Sequence, residues 1–189
     1  MMQRLPAIAA FANATLQGVA LLMFVLATAG GLELTDGWRP TLMLQSWPIP
    51  LVTALALIGL VVHPAMKHAP IAAWGGSLLL AISAWILWLV SSILVSILDE
   101  GARPEGLIAL FLAPVAMAIG GAGAVILGSK LPRSADSPNW HVALGSVAAF
   151  GVAAYGVWVA IYPAWLALIV WWVWLGVVLS RFQEPQVTS

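Results

Sequence analysis

The charged side chains of this chain are confined to short segments, and long apolar stretches separate these segments. Most of the stretches have the roughly 17–25 residues that an α-helix needs to cross the hydrocarbon of a bilayer. Only 7% of the residues are charged and 62% are hydrophobic, whereas a soluble domain carries about 25% charged residues. Because so few charges cannot cover a water-exposed surface, we predict an all-α, polytopic membrane protein with lipid as its main solvent.

The apolar stretches predict one domain, a bundle of about six transmembrane helices. The predicted spans are 7–30, 49–66, 71–98, 106–129, 141–162 and 164–180. The last two divide an uncharged run that, as one helix, would be nearly twice the length needed to cross. Pro163 is the only proline in that run and disfavours helical geometry at Tyr162. We therefore expect a tight turn at Tyr162–Pro163, with a re-entrant segment as the alternative.

The basic residues predict the orientation of the bundle. With six spans, one side carries five Lys and Arg residues and the other carries two, Arg39 and Arg103. The five are Arg4, Lys67, Lys130, Arg133 and Arg181. The positive-inside rule then places both termini in the cytoplasm (N-in/C-in), and we expect the plasma (inner) membrane of a bacterium.

Two segments near the N-terminus, the longest loop and the first apolar stretch, need separate interpretation. The longest loop, about 31–48, carries Trp38 and Trp47 and is expected at the membrane interface. The first apolar stretch follows a single positive charge, as in a signal peptide, but exceeds the ~7–15 apolar residues of such peptides. We expect an uncleaved first span, and a cleavable signal remains the alternative.

Small residues at regular spacing predict which helices pack closely. The fourth span has a four-residue repeat of small residues, which lets two backbones approach each other in lipid. The fifth span offers a second row. The two rows are Ala116, Gly120, Ala124 and Gly128 in the fourth span, and Gly145, Ala149 and Ala153 in the fifth. We expect these two helices to contact each other, and the general richness of membrane helices in glycine and alanine is the alternative explanation.

Polar and aromatic residues within the spans are the candidates for ligand binding. Asn13 and Gln17 lie four residues apart on one face of the first helix, which should therefore face protein rather than lipid. An interhelical hydrogen bond is the simpler explanation for them and a substrate contact is the other. Five tryptophans, including Trp172, lie too deep for an interfacial belt. Four of them pair on one face of a helix and could line a pocket, meet a partner subunit or face lipid: Trp85 and Trp88 on the third, Trp171 and Trp174 on the sixth.

The residues that membrane enzymes and pumps commonly use are missing from the predicted spans. No Asp, Glu, Lys or Arg falls near a bilayer midplane, which disfavours ion-coupled transport, and no catalytic motif is present. We expect a non-enzymatic protein without a cofactor. His63 and His141 could approach each other at the cytoplasmic side and bind haem or a metal, although both also fit ordinary interfacial positions. The zero net charge gives no reason to expect nucleic acid as a partner.

In length and number of spans the chain is similar to the substrate-binding subunits of energy-coupling-factor vitamin transporters. In that family an Ala-xxx-Ala pattern on the first helix contacts the partner protein, and Ala10-xxx-Ala14 matches this pattern. The resemblance is one of architecture.

These observations favour an accessory or scaffold subunit of a larger membrane complex, or a homo-oligomer. The alternative is a membrane-embedded binding or transport subunit for a neutral or lipophilic small molecule. A haem or metal protein is the second alternative.

Overall fold

The computed structural model describes residues 4–29, 41–100, 105–131 and 161–182, and the regular structure in these ranges is helical throughout. The elements are α1 Leu5–Ala29, α2 Pro48–Val61, a 3₁₀ helix Pro64–Met66, α3 Pro70–Glu100, α4 Glu105–Lys130 and α5 Ile161–Arg181. Residues 41–46 form a further helical segment before α2.

Four helical stretches are long and apolar enough to cross a membrane: Leu5–Leu26, Thr41–Val61, Pro70–Leu94 and Leu112–Lys130. Helix α5 contributes a shorter apolar stretch, Trp165–Arg181. The described residues therefore form an all-α fold with four candidate membrane-spanning helices. The predicted fifth span, except for its last two residues, lies outside the described residues.

The second of these stretches begins eight residues earlier than the sequence suggested. Residues 41–46, expected to belong to the interfacial loop, are helical, and the helix is interrupted only at Trp47. Pro48 and Pro50 cause this interruption, because proline has no N–H to donate to the carbonyl four residues before it. Helical bonding resumes where the Leu51 N–H donates to the Trp47 carbonyl at 3.2 Å.

A second difference concerns the turn expected at Tyr162–Pro163. Both residues lie in the first turn of α5, which begins at Ile161. A proline is tolerated there because the N–H groups of a first turn have no acceptor within the helix. Proline therefore occupies the start of this helix instead of a turn between two helices.

The α1–α2, α1–α5 and α3–α4 pairs each run antiparallel. In the α1–α2 pair Pro6 lies against Gly59 near one end, and the Thr41 hydroxyl donates to the Ala20 carbonyl near the other. In the α1–α5 pair Phe11 lies against Gly176. These contacts show which helix ends lie at the same end of the bundle.

The described charges separate along the bundle axis as a result. One end, here called the basic end, holds Arg4, Lys67, Lys130 and Arg181. Helix α3 ends at Glu100 and α4 begins at Glu105, both at the opposite end. Phe182, just after α5, contacts His63, just after α2, with ring centroids 5.5 Å apart. The first and last described residues therefore lie at the same end of the bundle.

The core contains residues of all five helices. Its largest fully buried apolar side chains are Trp171, Leu60, Met66, Leu127 and Leu175. Alanines of α1, including Ala10 and Ala14, belong to the same cluster.

Helices α3 and α4 approach through their backbones. A Cβ atom on Gly123 would lie 2.7 Å from the carbonyl oxygen of Gly76, and one on Gly76 would lie 2.6 Å from Cγ of Leu127. About two helical turns further along, the Ser83 hydroxyl donates to the Ala116 carbonyl at 2.6 Å. Small residues thus permit both backbone contact and an interhelical hydrogen bond.

The adjacent pair Gly75 and Gly76 allows a matched test of this contact. Gly76→Ala should lower the free energy of unfolding by about 1–3 kcal/mol, because the added methyl group overpacks the α3–α4 contact. Gly75→Ala should leave stability unchanged or raise it slightly, because no atom lies within 4 Å of its Cβ position. Unfolding of the detergent-solubilised protein measures both, and equal effects of the two substitutions would contradict this packing.

Candidate functional site

A polar network joins α1, α2 and α5 inside the bundle. Oδ1 of Asn13 accepts hydrogen bonds from the Thr53 hydroxyl at 3.2 Å and from Nε2 of Gln17 at 3.5 Å. Oε1 of Gln17 in turn accepts from the Trp165 indole at 3.1 Å. Asn13 is 0% exposed. The two amides that the sequence placed on one face of α1 therefore form interhelical hydrogen bonds.

This network leaves little of either amide for a ligand. Both side-chain carbonyl oxygens are engaged, and one buried donor, Nδ2 of Asn13, has no acceptor among the described residues. A buried donor without an acceptor is costly, so this atom reduces the net stabilisation that the network provides. The two amides thus belong to a structural network in which one donor, Nδ2 of Asn13, lacks an acceptor among the described residues.

The tryptophans predicted in α5 are core residues. Trp171 is 0% exposed and packs edge-on against Trp172, with ring centroids 5.1 Å apart. Its indole N–H is buried without an acceptor in the described part of the chain. Trp174 is partly buried and packs against the same core. A ligand could reach Trp171 only if helices separated.

The tryptophans predicted in α3 have a different environment. Trp85 is 61% exposed and, together with Trp88, lines a lateral groove of about 360 Å³ between α2 and α3, here called the α2–α3 groove. Its lining combines small residues with tryptophan side chains. The groove is lined by Trp47, Pro50, Leu51, Ala54, Ala81, Ala84, Trp85, Trp88 and others.

The depth of this groove distinguishes Trp85 from an interfacial tryptophan. Trp85 lies three residues from the middle of the stretch Pro70–Leu94, or about 4.5 Å along the helix axis. The polar interface lies about 15 Å from the bilayer centre. Trp47, which is 75% exposed, lies nearer the end opposite the basic end. The groove therefore reaches from one interface toward the membrane centre.

The small-residue row of the fourth span contacts α3 in the described structure. Ala116, Gly120, Ala124 and Gly128 are all buried, and a Cβ atom on Gly120 would lie 2.7 Å from the Ser83 hydroxyl oxygen. The predicted partner residues Gly145, Ala149 and Ala153 lie outside the described residues. Ala10 and Ala14, the pattern shared with the vitamin-transporter subunits, are covered by the chain's own helices.

His63 has a structural task at the basic end. It is the N-cap of the 3₁₀ helix, where its Nδ1 accepts a hydrogen bond from the Ala65 N–H at 3.2 Å. This nitrogen is thereby occupied and is not available to a metal without breaking the cap. His141 lies outside the described residues. Within the part of the chain that the structure describes, no group of three or more His, Cys, Asp or Glu residues could hold a metal ion.

A second, larger groove was not predicted from the sequence. It has a volume of about 660 Å³ and lies between α1 and α2 at the basic end, here called the α1–α2 groove. Its lining includes Leu5, Ile8, Ala9, Ala12, Leu55, Ile58, Gly59, Val62 and His63. Pro6 packs against Gly59 beside it. Such a groove depends on which two helices are neighbours, and the periodicity of one helix does not contain that information.

No protein-family model, curated protein or solved structure matches this chain.

The polar network should stabilise the bundle measurably. Thr53→Val removes the donor to Asn13, and Trp165→Phe removes the donor to Gln17. Each should lower the free energy of unfolding in detergent by about 0.6–2 kcal/mol, the range of interhelical hydrogen bonds in membranes. Thr15→Val is the control, since the exposed Thr15 hydroxyl bonds only to the Phe11 carbonyl of its own helix. A loss at Thr15 as large as that at Thr53 would argue against the network.

Proposed function

We propose that the protein is a non-enzymatic accessory or scaffold subunit that binds another membrane protein through the α2–α3 groove. The observation that carries the proposal is the combination of exposed tryptophans with small residues in one groove within the membrane. Close approach of helices in lipid requires small residues, which Ala54, Ala81 and Ala84 provide. The large indole rings of Trp47, Trp85 and Trp88 supply contact area to a partner helix.

The distribution of the other candidates supports this choice of surface. The amides of α1 and the tryptophans of α5 are used in the chain's own packing. The small residues of α4 are buried against α3. Of the predicted binding residues, only Trp85 and Trp88 line a groove that is open to the side. A partner in the membrane plane can reach that groove without rearranging the bundle.

The proposal includes six spans with both termini in the cytoplasm, in the plasma membrane of a bacterium. Two findings support it: α4 ends at the basic end, and α5 begins at the opposite end and ends near α1's start. The proposal therefore assigns one further crossing to the predicted fifth span, between α4 and α5. The concentration of described cations at one end supports a cytoplasmic position for that end.

Removal of one groove tryptophan should separate the protein from its partner. In native mass spectrometry after gentle detergent extraction, we expect the wild-type chain in a complex with another protein or a second copy. Trp85→Ala should shift most of it to the monomer, because the substitution removes a large part of the contact area.

Trp74→Ala is the matched control for this experiment. Trp74 is 67% exposed on the same helix but does not line the groove, so the complex should persist. A wild-type protein that is a monodisperse monomer without a co-purifying protein would count against the proposal. Equal dissociation by both substitutions would show that the groove has no special part in it.

The same groove favours one second candidate, a binding or transport subunit for a neutral, flat or lipophilic molecule. Its volume lies at the lower end of the ~300–1,000 Å³ typical of small-molecule sites, and its lining is almost wholly apolar. The indole rings of Trp85 and Trp88 would stack on a planar ligand.

Intrinsic fluorescence separates the two candidates. If the groove binds a small molecule, titration with a panel of lipophilic aromatic compounds should change the emission saturably, and Trp85→Ala should abolish the response. Trp74→Ala should retain it. If no compound gives a saturable response while the complex survives extraction, the subunit proposal is favoured.

A further inference from the structure

We propose that the α1–α2 groove is a binding site for one acyl chain of an anionic phospholipid, whose phosphate is bound by Arg4 and Lys67. This inference concerns the opposite half of the membrane from the α2–α3 groove and does not rest on the proposed partner protein.

The shape of the groove fits a chain that enters from the basic end. Along α2 and its C-cap the lining runs from Val52 to Val62, which is about 15 Å at 1.5 Å per residue. One leaflet contributes about 15 Å of hydrocarbon. The groove therefore extends through one leaflet and ends near the bilayer centre, as an acyl chain of that leaflet does.

The composition of the groove fits the same occupant. Ala9 and Ala12 give it depth because their side chains are small. Branched aliphatic side chains along its sides are largely exposed, and these are Leu5, Ile8, Leu55, Ile58 and Val62. A flexible hydrocarbon chain can follow such a surface and gain dispersion contacts along its whole length.

Charge complementarity at the mouth of the groove favours an anionic headgroup. Arg4 directly precedes the lining residue Leu5, and both it and Lys67 are exposed. The Lys67 N–H donates to the carbonyl of the lining residue Pro64 at 3.1 Å, which fixes the backbone of Lys67 beside the mouth. Across the described residues, every charged side chain at this end is a cation. Two cations beside one apolar groove form a site for a phosphate with an attached acyl chain.

The cap made by His63 contributes to this arrangement. Its bond to the Ala65 N–H holds the 3₁₀ turn that carries the chain from the groove lining to Lys67. The fold thus sets the backbone position of Lys67, the second cation.

Native mass spectrometry with two lipids of identical acyl chains tests the proposal. The purified chain is titrated with phosphatidylglycerol, which is anionic, and with phosphatidylcholine, which is zwitterionic. The wild type should bind the anionic lipid more tightly. Arg4→Gln and Lys67→Gln should each weaken that binding about fivefold and weaken phosphatidylcholine binding less, because the choline cation of that lipid offsets the charge of its phosphate. Lys130→Gln is the matched control, because Lys130 is an exposed cation of the same end on α4, away from the groove.

A second set of variants tests the acyl-chain contact. Ala12→Leu should fill the groove and weaken the binding of both lipids at least fivefold, whereas Ala122→Leu, the same change at an exposed position of α4, should not. Unfolding is measured for every variant, and if Ala12→Leu fails to fold, Ile8→Ala, which removes an exposed groove side chain, takes its place with the same expected direction.

Three outcomes would overturn the proposal. The first is equal affinity of the wild type for both lipids. The second is an effect of Lys130→Gln as large as that of Arg4→Gln, which would indicate general attraction to a basic surface. The third is a dimer of this chain that excludes lipid and is disrupted by Ala12→Leu, which would make a second copy the occupant of the groove.

Discussion

Direct contact between the backbones of α3 and α4 at Gly76 and Gly123 determines much of the arrangement around it. Lipid offers helices no hydrophobic reason to associate, so the pair depends on contacts that only close approach allows. At this distance the Ser83 hydroxyl reaches the Ala116 carbonyl. The glycines of α4 pack against α3, and Met117 and Leu127 of α4 lie in the core. Trp85 of α3 is exposed. The surface available to partners follows from this one contact.

The sequence predicted those features that are written in local composition. Hydropathy located the helices, because lipid excludes charge from every span in the same way. The pairing of Asn13 with Gln17 on one face predicted contact with protein, and Thr53 and Trp165 provide it. The start of the second span was missed because Thr41, Gln45 and two prolines resemble a loop in composition, although the polar side chains of Thr41 and Gln45 are buried within the bundle.

Features that depend on which helices are neighbours could not be predicted in the same way. A row of small residues shows that a helix packs closely, but it does not name the partner, and α4 contacts α3 in the described structure. The four paired tryptophans looked alike in the sequence. Packing separates them into Trp171, which is enclosed, and Trp85, which is open to the side. The α1–α2 groove arises from two helices together, so neither helix predicts it alone.

The separation of charge along the bundle axis also couples the molecule to the membrane potential. Moving one elementary charge across the full potential changes its energy by about 2.3 kcal/mol per 100 mV. Four described cations lie at one end, whereas α3 ends at Glu100 and α4 begins at Glu105 at the opposite end. In the proposed orientation, with the basic end inside an energised cell, the field draws cations inward and carboxylates outward, so the charges at both ends favour the same orientation. A chain inserted with its basic end outward would be opposed by that field, and collapse of the potential would remove the opposition.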